Sequence, residues 1–341
     1  MSESTMIPYA VSTRPRPAAP DGGRSTSDLG HVLILAGGLS YEREVSIRSG
    51  RRVAEALRAT GVDVETRDTD AALVPAVLAD PPDAAFVTLH GGAGEDGAIR
   101  TVLELLGVPY VGATPDACHI AFDKPTAKAV VASWGLNTPA SVALPKETFH
   151  DLGASAVLGR IVDRLGLPLF VKPSRGGSAL GASIVRGSEE LPAAMVGCFA
   201  YGDTALIEKY VQGVEVAVSV VDLGDGPVAL PPVEIVPDRG VYDYAARYTA
   251  GHTEFFAPAR LTEEETEACA AMAVTAHTAL GLRDISRTDL IVDTTGRPYF
   301  LEVNVAPGMT ETSLLPMAAE AAGRDLGALC RGLLEIAVRR G

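Results

Sequence analysis

An α/β fold with an α+β C-terminal part is predicted for this chain of 341 residues by two patterns and one constraint. Short apolar runs alternate with amphipathic helical stretches over the first third, which calls for a parallel sheet, because parallel neighbours need a crossover between them. From Pro168 onward strand-like runs follow one another across turns, which calls for antiparallel hairpins. The constraint is composition. Hydrophobic residues make up 47% and charged residues 21%, and no apolar run approaches the ~18 residues of a membrane span, so a membrane is not an expected partner. The length exceeds the ~100 to 200 residues of one ordinary domain, so two or three are expected.

The net charge of -14 repels a polyphosphate backbone and argues against nucleic acid as a partner, while leaving small anions open. Cys118, Cys198, Cys269 and Cys330 are far apart and form no CxxC pair, which points to free thiols in a reducing, cytoplasmic compartment. Residues 1–28 mix Pro, Ser, Thr and Arg without the apolar core of a signal peptide and read as a disordered tail.

HVLILAGG, VDVETRD, AAFVTLHGG and VPYVG read as buried strands, with SIRSGRRVAEALRATG and GAIRTVLELLG as helices between them. Ligands gather beyond the carboxyl ends of such strands, where Gly37, Gly38, Glu42 and His90 fall. Taken singly, Glu42 is the acid of a helix start and His90 a structural histidine. Gly92, Gly94 and Gly97 match the GxGxxG of a nicotinamide-dependent oxidoreductase. Glu95 and Asp96 would oppose a pyrophosphate there and are expected instead to cap the following helix.

A second unit starts near Ala121: the helix DKPTAKAVVASWGL, the segment TPASVAL, the helix GRIVDRLG and the strand PLFVKP. Ser174 to Ser183 then form a glycine-dense hairpin loop, entered by Lys172, whose amides can approach an anion; with no GxxxxGK[ST] in the chain, a P-loop is excluded. A flexible surface hairpin is the plainer alternative. Glu208 and Lys209 end the strand TALIEKYV and Glu215 opens EVAVSVVD, a set that suits an adenine amino group, a ring nitrogen and a ribose, or is merely solvated. YDYAARY, Tyr242 to Tyr248, lies in a long segment of lid character. LTEEETEACAAMAVTAHTALG is a helix opened by a capping box of Thr262 and Glu265 and closed by Gly281, and GRDLGALCRGLLEIAVRR is another.

Between the last two helices runs RTDLIVDTTGRPYFLEVN. A bulge-free hairpin centred between Thr295 and Gly296 sets Asp289 opposite Glu302, with Arg287, Asp289, Glu302 and Asn304 on one face and Leu290, Val292, Leu301 and Val303 on the buried one. Facing carboxylates repel, but two carboxylates and an amide oxygen suit a hard cation such as magnesium. A solvated hairpin neutralised by Arg287 is the equal alternative.

LAGGLSYEREVS, HGGAGEDG, FDKPTAK, VKPSRGGS, LIEKYV, YDYAARY, the RTD and EVN pair and PGMTETSL, in this order, together resemble the D-alanine-D-alanine ligases of the ATP-grasp class, from about Gly30 to the C-terminus. The resemblance implies an ATP-grasp fold preceded by a parallel-sheet domain, with an N-terminal α/β domain over 29–120, a central subdomain over 121–210 and a C-terminal domain over 211–341. It implies that Lys124, Lys172 and Arg247 bind ATP phosphates, that Glu208, Lys209 and Val211 frame the adenine, and that Glu215 meets the ribose. Asp289, Glu302 and Asn304 would hold two magnesium ions, for which manganese can substitute. Glu42 would hold the first amino acid's ammonium, with His90 lining the same subsite, and would join Ser178 and Tyr248 in closing the site. Ser313 and Leu314 would bind the second carboxylate, and Arg287 and the Gly308 amide the oxyanion. The expected partners are small amino acids, and a homodimer is a possible assembly.

Departures from the family pattern are Arg247 for a lysine, Thr288 for an aliphatic residue, Val305 for a threonine, and Arg100 and Thr101 for glutamine and a small residue. They leave open a diverged ligase joining other small amino acids. Ester-forming relatives carry phenylalanine where this chain has Tyr248, so the tyrosine favours an amine nucleophile.

Overall fold

The computed structural model describes residues 29–238 and 252–341; the expected tail and the tyrosine-rich lid, with Arg247 and Tyr248, lie outside the described residues. Strands β1 (His31–Leu35), β2 (Asp63–Arg67), β3 (Ala84–Val87) and β4 (Tyr110–Val111) make a parallel sheet in the order β2-β1-β3-β4. Helices α1 (Arg43–Ala59), α2 (Leu73–Ala79) and α3 (Ala98–Leu105) lie between them in sequence. Both faces of β1 are covered, Val32 and Ile34 in one apolar cluster and Leu33 and Leu35 in another, which is why its sequence is apolar throughout rather than alternating.

The second sheet is antiparallel, in the order β5-β8-β6-β7, from β5 (Ser141–Pro145), β6 (Leu169–Pro173), β7 (Ser183–Val185) and β8 (Thr204–Lys209). It is preceded by α4 (Pro115–Phe122) and α5 (Lys124–Ser133), while α6 (Lys146–Leu152), α7 (Ala154–Leu165) and α8 (Leu191–Phe199) lie within it in sequence. Leu158, Ile161 and Leu165 of α7 and Leu191, Met195 and Cys198 of α8 close its core.

The third sheet comprises β9 (Gly213–Asp222), β10 (Pro227–Ala229), β11 (Val233–Pro237), β12 (Thr253–Phe256), β13 (Ile285–Asp293) and β14 (Pro298–Asn304), ordered β12-β11-β9-β13-β14 with β10 beside β9. On one face pack α4, α5 and α9 (Glu263–Ala279), whose Thr262 and Glu265 form the expected capping box. The other face joins the first sheet in one continuous core through α10 (Leu314–Ala321) and α11 (Leu326–Arg340). The buried Asp284 carboxylate seals this junction, accepting from the Gly112 N–H at 2.7 Å and from Arg340 Nη2 at 2.7 Å.

The β13-β14 hairpin departs from its expected symmetry. Near the turn the Asp293 N–H donates to Arg297, so the turn is centred on Thr295, and Leu290 faces Phe300. A bulge then makes Leu301 the extra residue and restores the register, so Asp289 does face Glu302 and Arg287 faces Asn304. Leu301 is therefore not on the buried face. It lies with Asp289, Ile291 and Glu302 along a cavity.

Candidate active site

Two cavities meet between the three sheets. The larger is walled by Phe170, Lys172, Ile184, Glu208 and Lys209 of the second sheet and by Glu215, Asp289, Ile291, Leu301 and Glu302 of the third, with Val211 on the connection between them. Its opposed apolar side chains suit a flat ring. The smaller is lined by Glu42, His90 and Glu95 at the carboxyl edge of the first sheet, by Ser178 of the glycine-rich hairpin, and by Arg287, Asn304, Gly308, Ser313 and Leu314. Lys124, Gly176, Gly177 and Glu302 border both cavities.

At that junction the charges interlock. Lys124 Nζ donates to the Gly176 carbonyl at 2.6 Å and lies 3.5 Å from Glu302, and Lys172 Nζ lies 2.9 Å from Glu208 and 4.0 Å from Glu302. Burial alone would depress Lys172, but Glu208 and Glu302 lift it above the ordinary lysine value; burial would raise Glu208, but Lys172 and Lys128 hold it below the ordinary carboxyl value. Arg287 grips Asp289 by a fork, Nε to Oδ1 at 2.7 Å and Nη2 to Oδ2 at 2.8 Å. The Asn304 amide oxygen accepts the Ala306 N–H at 2.8 Å, which leaves it a second lone pair.

Glu42 stands at the N-cap of α1 without capping it. Its carboxylate accepts from the Ser178 hydroxyl instead. The backbone closes around that acid: Gly91, at φ +65°, would place a Cβ 2.4 Å from Glu42 Oε2, so a side chain there would be strained and would push the carboxylate aside.

His90 Nδ1 is 3.0 Å from the Ala306 carbonyl, which can only accept, so Nδ1 carries the proton and Nε2 accepts from Ser49 Oγ at 3.0 Å. Ser49 in turn accepts the Met309 N–H at 3.1 Å. Burial and the neighbouring Arg287 favour this neutral ring over the pull of Glu42 and the Ala306 carbonyl. His90 thus ties the first sheet to the loop leading into α10. In that loop Gly308 must lack a side chain, since a Cβ would lie 2.6 Å from Ser313 Oγ, which accepts the Thr310 N–H at 2.9 Å.

The reading of Glu95 as a helix cap is corrected. Gly97, in the left-handed region, takes the N-cap position of α3, and Asp96 accepts the Ala98 N–H at 2.8 Å. Glu95 turns inward, where burial and the nearby Glu42 push its carboxyl up to about 8. A three-residue turn over Gly92–Gly94 followed by this buried acid follows β3 where a pyrophosphate would need open backbone amides and no carboxyl, which argues against a dinucleotide there. In the sequence Glu95 was read only as a cap and Lys128 was given no role; the spacing of Lys128, four residues after Lys124 on one helix face, was the signal available for it.

Among the described residues no group of three or more His, Cys, Asp or Glu side chains is gathered for a metal, and the expected trio has two carboxylates and one amide. That set still fits magnesium, which takes one or two carboxylates and completes its shell with substrate phosphates.

A parallel-sheet unit followed by two antiparallel sheets that clasp a lysine- and carboxylate-lined cleft defines the ATP-grasp class. The sequence model described as D-ala D-ala ligase C-terminus matches residues 130–335. The D-alanine--D-alanine ligase of Nitrosospira multiformis is 41% identical over 91% of this chain and 97% of its own. The structure is similar to that of VanG D-Ala:D-Ser ligase from Enterococcus faecalis (TM-score 0.78, 27% identity, 90% of this chain and 99% of that one). It is also similar to D-alanine--D-alanine ligase from Bacillus anthracis complexed with ATP (TM-score 0.74, 30% identity, 91% and 97%). The chain belongs to the D-alanine-D-alanine ligase family.

Proposed function

We propose that the protein joins two molecules of D-alanine into D-alanyl-D-alanine at the expense of ATP, in the cytoplasm, for peptidoglycan precursors. The meeting of the two cavities at Lys124 and Glu302 carries the reading, because it lets a nucleotide's terminal phosphate touch a small acid's carboxylate. A second amino acid at the distal end, D-serine, is the alternative raised by the Enterococcus enzyme, but the relatives at 40–41% identity are named for D-alanine at both ends.

In this reading Phe170, Val211, Ile291 and Leu301 enclose the adenine beside Glu208 and Lys209, and Glu215 holds the ribose. Lys124, Lys172 and Arg247 draw charge from the phosphates. Asp289, Glu302 and Asn304 would hold magnesium, which neutralises charge on the transferring phosphoryl group. Glu42 holds the first ammonium and keeps Ser178 over the site, with Tyr248 as the third member, while His90 fixes the opposite loop. The first carboxylate oxygen attacks the γ-phosphorus, ADP leaves, and the second amine attacks the resulting acyl phosphate. The second carboxylate is held at the start of α10, by Ser313 and Leu314. Arg287 and the Gly308 N–H face the oxyanion until phosphate departs. Domain divisions near residues 120 and 210 and a homodimer are part of the same proposal.

The test is to incubate purified protein with ATP, magnesium and D-alanine, D-serine or D-lactate and to separate products by mass. ADP, phosphate and D-alanyl-D-alanine are expected. Detection of AMP with pyrophosphate would sink the acyl-phosphate route, and a predominant ester or mixed dipeptide would reassign the second substrate.

A further inference from the structure

Behind the wall of the larger cavity lies a buried lysine that touches none of its space. Lys128 is 4% exposed, on α5, and its Nζ donates to the Pro139 carbonyl at 2.9 Å and to Glu208 Oε1. Glu208 is 2% exposed and gives its other oxygen, Oε2, to Lys172 at 2.9 Å. The two lysines differ in placement: Lys172 lines the cavity together with Glu208, whereas Lys128 does not. A buried carboxylate needs a counter-charge to stay ionised. Lys172, with three N–H donors and a second acid 4.0 Å away, divides its charge between Glu208 and the phosphate end of the cleft. Lys128 is committed to Glu208.

We propose that Lys128 is a positioning residue for nucleotide selection: by pinning Glu208 through Oε1, it keeps that carboxylate an acceptor without a proton, facing the base. An acceptor-only group at that wall favours a base edge that donates, such as adenine's amino group, and repels one that presents an oxo group. A protonated or displaced Glu208 could meet either. The inference rests on the reading of the larger cavity as the ATP site.

The probe is inosine triphosphate, which carries an oxo group where adenine has its amino group and a hydrogen on the adjoining ring nitrogen, N1, where adenine has a lone pair, so both groups of that edge reverse their hydrogen-bonding sense. In Lys128→Met the KM for ATP should rise roughly tenfold or more, the range of a hydrogen bond to a charged group, with a smaller change in kcat. The preference for ATP over inosine triphosphate in kcat/KM should fall by a similar factor. A merely structural lysine would cost stability and overall activity and leave that ratio alone. A ratio within about twofold of the unmodified enzyme, in folded Lys128→Met, overturns the proposal.

Removing one member of a buried pair can prevent folding, whereas neutralising both is far milder. A second comparison therefore uses Glu208→Gln with and without Lys128→Met. The two should show the same weakened preference, because Lys128 acts through Glu208; a further drop in the double variant overturns the proposal. Thermal shift of the unmodified protein by ATP and magnesium separates the two levels, since no shift with either nucleotide would overturn the ATP reading itself.

Discussion

Ser178, on the glycine-rich hairpin between β6 and β7, donates its hydroxyl to the carboxylate of Glu42, which lies 136 residues earlier at the start of α1. One bond thus joins the first sheet's edge to the loop that covers the smaller cavity. Ser178 itself sits at φ 55°, a conformation side chains rarely adopt. Ser178→Ala should therefore lower kcat/KM for the first amino acid by roughly 10- to 100-fold, the worth of a hydrogen bond to a charged group, while the melting temperature changes little. Steady-state kinetics with varied D-alanine would check it, and unchanged kinetics would mean that this bond does not close the site.

Asp289→Asn and Glu302→Gln each remove one of the two carboxylates that face each other across the hairpin. Both should raise the magnesium concentration needed for turnover roughly tenfold or more, and should do the same to the magnesium needed for ATP to raise the melting temperature. Identical titrations in all three proteins would return the pair to a structural role.

The inward turn of Glu95 gives stability a pH dependence. Its carboxyl is raised by folding, so it favours the folded state fully below the ordinary carboxyl value and loses that contribution as pH rises through about 8. Between about pH 4.5 and 8 the unmodified protein should thus lose stability relative to Glu95→Gln, which cannot titrate. Urea midpoints across that window test the sign, and parallel curves for the two proteins would contradict it.

Thr288 is fully buried, and its hydroxyl has no hydrogen-bond partner among the described residues. Thr288→Val keeps the shape and removes the stranded group, so it should stabilise the fold by about 1 kcal/mol. A lower denaturant midpoint for the variant would show that the hydroxyl is satisfied after all.

Asp289 and Glu302 were legible because strand side chains alternate and the turn fixes which residues meet. Lys172 and Glu208 were legible as charged residues at strand ends. What local pattern could not carry was long-range packing. Nothing near Leu314 or Leu333 signals that α10 and α11 join the first and third sheets in one core. Glu95 was misread because an acid before a helix ordinarily caps it, and here the left-handed Gly97 takes that place. Leu301 was misread because an apolar residue in an amphipathic strand ordinarily faces inward. Arg100 gave no hint that its guanidinium is buried, donating to the Gly94 carbonyl at 2.5 Å, with its Nε lacking a partner among the described residues.

The bulge at Leu301 sets regularity against usefulness. Deleting that one residue would leave Phe300 facing Leu290 and Glu302 facing Asp289 in an unbroken ladder, so the acids would keep their station and the hairpin would become closer to ideal. What would vanish is an apolar side chain from the wall of the larger cavity. A redesign of this strand for regularity alone would discard the residue, and with it part of the wall on which the proposed nucleotide site rests.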